Sequence, residues 1–518
     1  VKDLLNGWGP TLVTFLPMLG VVAMLAIPKA EETLQKVVAL ATSLAVLAVG
    51  IALLAVFDYG FDYKAHADAP FQFLVDKNWI SIINARYLVG IDGISLPLIA
   101  LTVLVVPLVI IYSWNHFPEP HNPKAFLLLI LVLETGMVGC FVAQDLLLFF
   151  VFFELVLLPM YFLIGVFGGE KRKYASLKFF LYTAFGSALM IVSILAVYFL
   201  SPEVDGKHTF SMIALSHWGG AGLAKGTAVL VFGGFFMGFG IKVPMFPFHT
   251  WLPDAHTQAP TQGSVILASV MLKLGTYGFV RIALPILPYG AQKWAPVIGL
   301  LAVIGIIYGS LGCLAQTDMK RLIAFSSVAH MGYVMLGIAT LTTWGINAAI
   351  FGMVAHGLIT GMLFFIAGSV KDRFHTLEIK RLGGLLLQAP RLGWLLGFCC
   401  MASLGLPGLA GFWGEFPAIL AAYNPAHGLS LPLFRTFMVV AALGTVFAAA
   451  YLLWLLQRVA FGVPTEEFED KHIHDLHFTE YVAWIPMLIG IVVLGVAPGL
   501  IFHITDGAVS HSLAAFGR

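Results

Sequence analysis

Charge is scarce in this chain. Asp, Glu, Lys and Arg make up 11% of its 518 residues and hydrophobic side chains 59%, whereas an ordinary soluble domain carries about 25% charged residues. A soluble globular protein is thereby excluded. The formal net charge of +1 offers no concentrated basic surface for nucleic acid. Cysteine is equally sparse: Cys140, Cys313, Cys399 and Cys400 all lie in apolar runs and none forms a C-x-x-C pair. No disulfide framework, zinc site or iron–sulfur centre therefore has a basis in the sequence. Neither G-x-G-x-x-G nor G-x-x-x-x-G-K-[S/T] occurs, so nucleotide binding has no motif behind it. No cleavable signal peptide is expected, because the apolar run from Pro10 is long enough to be a span.

What the chain does have is repeated apolar runs of about 20 residues, the length that crosses a bilayer core. They predict an all-α polytopic membrane protein of about 14 transmembrane helices. Two longer polar connections stand out: 58–91, expected to fold over the membrane surface, and 464–480 (PTEEFEDKHIHDLHFTE). Most Lys and Arg fall in loops after odd-numbered spans, among them Lys171, Arg172, Lys173, Lys371, Arg373, Lys380 and Arg381. The positive-inside rule makes that side cytoplasmic and puts both termini on the outer face of a bacterial inner membrane or an equivalent energy-coupling membrane.

Two spans look broken. Pro244 and Pro247 interrupt the seventh at IKVPMFP, and Gly405, Pro407, Gly408 and Gly411 interrupt the twelfth. Non-helical backbone at that depth is tolerated only inside protein or along a wet cavity. Breaks five spans apart point to an inverted repeat, with spans 4–8 and 9–13 as two five-helix units. The expected organisation is 1–124 for the first three helices, 125–282 and 296–460 for the two units, and 461–518 for a polar loop and last helix.

Titratable residues sit in apolar spans, where a charge costs at least about 2.5–3.5 kcal/mol and is functional by default. Glu154 and Lys242 form a first candidate pair. At about 8 Å and an effective dielectric near 20 they would attract by roughly 2 kcal/mol, so separating them would loosen a proton; the alternative is a static ion pair. Lys273 lies mid-span in SVMLKLGTYGF with no acid on its helix and too deep for easy snorkelling. His330 and His356, in consecutive helices, suit a relay because imidazole both accepts and donates, though a satisfied core histidine is the alternative for each. Ser326 and Ser327, near His330, would hold relay water or bond backbone carbonyls. Glu415 follows the second break as a terminal exchange site or a packing carboxylate. Asp145 is a further relay candidate or a plain helix cap. Glu134, His249, Asp254, His256 and Lys178 are weaker candidates, and HIHDLH at 472–477 reads as a solvated loop rather than a metal site.

Three runs carry a family likeness. KVPMFPFHTWLPDAHTQAPTQGSVILASVMLKLGTYGFVR, LAQTDMKRLIAFSSVAHMGY and LPGLAGFWGEF closely resemble the antiporter-like membrane subunits of complex I, the proton-pumping NADH:quinone oxidoreductase, over roughly residues 90–460. Within that family the chain is most similar to the M-type branch. Glu415 stands where L- and N-type subunits and cation-antiporter homologues typically have lysine, and the chain ends without the lateral-helix extension of the L-type. The resemblance implies Glu154 and Lys242 as first pair, Lys273 as central relay, His330 and His356 as connection, and Glu415 as last site. It implies no cofactor in this chain, with FMN, iron–sulfur clusters and quinone in partner subunits. It also implies L- and N-type neighbours, a peripheral NADH-oxidising arm and a surrounding lipid bilayer as partners, and no nucleic acid. A multi-subunit Na⁺/H⁺ antiporter or an energy-converting hydrogenase remains the alternative.

Overall fold

A computed structural model describes residues 2–204 and 206–516. Among the described residues twelve helices are long and apolar enough to cross a membrane, and the chain is an integral membrane protein. The two segments expected to be broken are indeed interrupted. Lys225–Lys242 is followed by an irregular stretch and then Trp251–Gln258. Pro390–Ser403 is followed by an irregular stretch and then Ala410–Ala421. The connection 58–91 contains an antiparallel hairpin, Gln72–Ile80 against Ala85–Ile91.

Burial is uneven in a way that sets the site. Thr261–Ile286 and Thr343–Phe374 are 100% buried over their most apolar window and Met319–Ala339 is 94% buried, whereas Glu32–Val56 is 28% buried. Three helices thus run inside the protein with no lipid-facing side, and they hold Lys273, His330 and His356. A charge there meets protein groups in place of hydrocarbon, the condition under which intramembrane ionisable residues persist.

Each break is closed by local chemistry. Past Lys242, the last residue of its helix, Pro244 brings no backbone N–H. Trp251 Nε1 donates to the Ile241 carbonyl at 2.9 Å, replacing a helical bond that the break removes. At the second break Gly405 and Gly408 adopt φ of +75° and +94°, a region disfavoured for residues with a Cβ. Gly414 then packs against Gly352: a Cβ on it would lie 2.5 Å from the Gly352 Cα. That close approach seats the Ala410–Ala421 helix, with Glu415, against Thr343–Phe374.

The 464–480 connection is clamped. Arg373 donates to both carboxylate oxygens of the fully buried Glu480, at 3.0 and 2.7 Å, and to the carbonyls of His474 and Asp475 at 2.7 and 2.8 Å. The Asp475 carboxylate accepts from the backbone of Arg391 and Leu392. HIHDLH is thus a loop whose His472, His474 and His477 are exposed, as expected, while its backbone and Asp475 are held by these bonds. Removing one partner of such a pair strands a buried charge at a cost of roughly 3–5 kcal/mol. Arg373→Ala is expected to lower the melting temperature of the purified protein by several degrees; an unchanged melting curve would mean the loop is held elsewhere.

Candidate functional site

The site begins at a helix that is not regular. Within Thr261–Ile286 the segments Leu267–Met271 and Phe279–Ala283 are wound with i→i+5 bonding. Such widened turns recur at functional sites. Here the first lets the Lys273 ammonium fold back onto the Ala268 carbonyl at 2.5 Å. The same Nζ lies 2.8 Å from His356 Nδ1, and Lys273 is fully buried. An ammonium can only donate, so the Nδ1 it meets is an acceptor and a neutral His356 carries its proton on Nε2. That Nε2 is buried without a partner among the described residues.

Beyond it stands His330, its ring centroid 6.2 Å from that of His356, too far for a direct hydrogen bond. A cavity of about 20 Å³ lined by His330, His356, Thr360, Ser403 and Glu415 lies at this point. About 10–15 Å³ suffices for one water, so the cavity is large enough for a bridging molecule. His330 Nδ1 is 2.5 Å from Glu415 Oε1, and its Nε2 meets Ser403 Oγ at 3.1 Å and Tyr451 Oη at 3.0 Å. Hydroxyls donate or accept as required, so this setting accommodates neutral imidazole and imidazolium alike. Ser326 and Ser327 take the backbone option, donating to the Ile323 carbonyl.

The other half is looser. Lys242 is buried, its Nζ 4.7 Å from the ring centre of Phe153, while Glu154 accepts a short hydrogen bond from Ser187 Oγ. The two are not in ion-pair contact, so a static salt bridge does not describe them. Gly275 joins this half to Lys273: a Cβ there would sit 2.6 Å from the Phe239 carbonyl and 3.1 Å from the Lys242 Cβ. The helices bearing the two lysines therefore touch at the level of Lys242.

Asp145 is engaged as a cap, accepting from the backbone of Leu147, Leu148 and Arg86 at 2.9, 3.0 and 3.0 Å. Those bonds support the cap reading over relay. Lys178 pairs with Asp254 at 2.7 Å. His256 is fully buried and stacked on Phe364, both its ring nitrogens unpartnered among the described residues. Glu134 is buried with both oxygens unpartnered among the described residues. Sequence reasoning missed Lys320, whose buried ammonium rests on the Ala259 carbonyl at 2.5 Å; one residue inside its helix, it looks like an interfacial lysine. It also missed Ser403, Tyr451 and the Arg281–Asp92 ion pair.

Residues 143–444 match the family model described as NADH:quinone oxidoreductase/Mrp antiporter, TM, and residues 69–140 match NADH-ubiquinone oxidoreductase chain 4, amino terminus. The chain belongs to this family. NADH-quinone oxidoreductase subunit M of Rhodobacter capsulatus is 41% identical over 511 residues, covering 97% of this chain and 95% of the relative. The subunit M of Rickettsia conorii is 40% identical, covering 87% of this chain and 88% of its own. Among solved structures, a chain of respiratory complex I from Thermus thermophilus aligns with TM-score 0.84 at 28% identity, covering 98% of this chain and 99% of that one. A chain of the Mrp complex from Dietzia aligns at 0.79 and 18% identity, covering 98% and 99%; that likeness concerns the fold alone. Within the complex I family, the chain is an M-type subunit.

Proposed function

We propose that this chain is a proton-translocating membrane subunit of an NADH:quinone oxidoreductase, performing no electron transfer itself. FMN, iron–sulfur clusters and quinone belong to partner subunits in this reading. The observation that carries it is the buried contact Lys273–His356 and the part-buried contact His330–Glu415, with His356, His330 and Glu415 lining one small polar cavity. A proton leaving Lys273 passes to His356 Nδ1 as the ring releases its Nε2 proton toward His330, and Glu415 receives it at the far end. Glu154 and Lys242 act upstream: a change in their separation alters the field at Lys273, so energy released elsewhere in the complex reaches the relay electrostatically. His256 and Lys320 supply a route from the basic face to Lys273. Asp145 keeps a lesser place, holding the end of the Glu154 helix.

The same reading retains two inverted five-helix repeats, spans 4–8 and 9–13, over 125–282 and 296–460. Both termini lie on the outer face, and L- and N-type subunits are neighbours that connect the chain to the peripheral arm. Purification from native membranes in gentle detergent, with mass spectrometry and an NADH:quinone assay, tests the assignment. An NADH-oxidising arm in the same particle is expected. A particle made only of small membrane subunits, exchanging Na⁺ for H⁺, would make the chain an antiporter subunit; nickel-containing partners would make it a hydrogenase subunit.

A further inference from the structure

A crevice of about 1070 Å³ opens on the basic face, between the ends of helices Ser95–Ser113, Leu146–Phe167, Thr261–Ile286 and Thr343–Phe374 and the start of Arg172–Leu200. Its lining includes Ala259, whose carbonyl holds Lys320, but none of Lys273, His356, His330 and Glu415. Lys171, Arg172, Lys173 and Lys371 line it. Among the described residues none of these four side chains has a carboxylate within ion-pair distance, although Arg172 donates to the Gly168 carbonyl at 3.3 Å. Acids line it too, but two are engaged. Asp372 accepts from Tyr112 at 3.3 Å and lies 3.7 Å from His116, and Glu119 accepts from the His121 backbone at 2.9 Å. Glu170 is exposed beside the basic run. Four cationic side chains against three carboxylates leave a formal surplus of one positive charge in the lining, and the hydrogen bonds from Tyr112 and the His121 backbone orient two of those carboxylates without removing their charge.

Apolar surface leads away from it. Leu158, Phe162 and Val166 are exposed at four-residue spacing on the helix that ends in the crevice, and Tyr174, Leu177 and Leu181 are exposed on the helix that begins there. Residues three and four apart share one helix face, so two apolar stripes descend from a cationic crevice at the bilayer boundary. A phosphate-bearing molecule with long hydrocarbon chains satisfies both halves. A free phosphate would use only the first.

We propose that this crevice binds the headgroup of an anionic phospholipid from the cytoplasmic leaflet, its phosphate held by Lys171, Lys173 and Lys371 and its acyl chains laid along the two stripes. Basic pockets between transmembrane helices on the cytoplasmic side suit such headgroups, and long lysine stems reach an interfacial phosphate while lying on apolar surface.

The test uses the purified complex with its partner subunits, counting phospholipid per particle by mass spectrometry of extracts. Lys171→Ala/Lys173→Ala/Lys371→Ala is expected to lose at least one anionic phospholipid per particle, and the triple arginine variant to keep it. An equal lipid count in the alanine variant overturns the proposal. Should that variant assemble poorly, wild-type complex stripped of lipid is titrated with vesicles of phosphatidylglycerol, of phosphatidylcholine, or with inorganic phosphate. A rise in melting temperature specific to phosphatidylglycerol is expected. The same rise with inorganic phosphate would make this a free-anion site, and the same rise with phosphatidylcholine would remove the charge argument.

Discussion

Lys273→Met is expected to abolish proton translocation through this chain and to slow coupled NADH oxidation by at least about tenfold, the equivalent of roughly 1.4 kcal/mol on the limiting barrier. Methionine keeps the length and apolar stem of lysine and removes only the titratable ammonium. In the folded protein that ammonium is the donor to both the Ala268 carbonyl and His356 Nδ1. The substitution leaves two buried acceptors unmade, at about 1–3 kcal/mol each, so assembly has to be checked alongside function. The amount of intact complex and its reduction of an artificial electron acceptor at the peripheral arm provide that check. Protons moved per NADH, measured in reconstituted vesicles, decide the matter: a wild-type ratio in assembled Lys273→Met complex would leave Lys273 a structural residue. Lys242→Met and Glu154→Ala are expected to depress the same ratio less steeply, because neither side chain is in direct contact with the Lys273–His356 pair.

This asymmetry marks what the sequence could disclose. Runs of apolar residues have the length of a bilayer, and proline and glycine in mid-run remove helical bonds; these are local properties, so spans and breaks were legible. A lysine or glutamate in hydrocarbon is costly wherever its partners lie, so Lys242, Lys273, Glu154 and Glu415 stood out one by one. Their contacts did not. Tyr451 reaches His330 across 121 positions and Ser403 across 73, and neither is unusual within its own helix. Arg281 and Asp92 meet across 189 positions, although each alone looks like a residue near a loop. The widened turn at Leu267–Met271 has no proline or glycine to announce it; it comes from how the helix packs, and it brings the Ala268 carbonyl to Lys273. Lys320 was concealed for a different reason. Its position one residue into a helix suits an interfacial lysine, and only the carbonyl of Ala259 closing over it reveals the burial.

Glu415→Gln tests the far end of the relay with little change in shape. Glutamine fills the same space and its amide oxygen can still accept from His330 Nδ1, so the 2.5 Å contact relaxes without being emptied. It cannot take up a proton. The expected result is an assembled complex with normal peripheral-arm activity whose protons per NADH fall as far as in Lys273→Met. Glu415→Asp is expected to be intermediate: it keeps a titratable carboxylate but withdraws it by one methylene from His330. That order, wild type above aspartate above glutamine, separates a proton-bearing role from a packing role. A carboxylate that only supported the Ala410–Ala421 helix against Thr343–Phe374 would tolerate glutamine better than aspartate, because packing depends on volume and hydrogen bonding. Observing glutamine above aspartate would therefore end the relay at His330 and require another outlet for the proton.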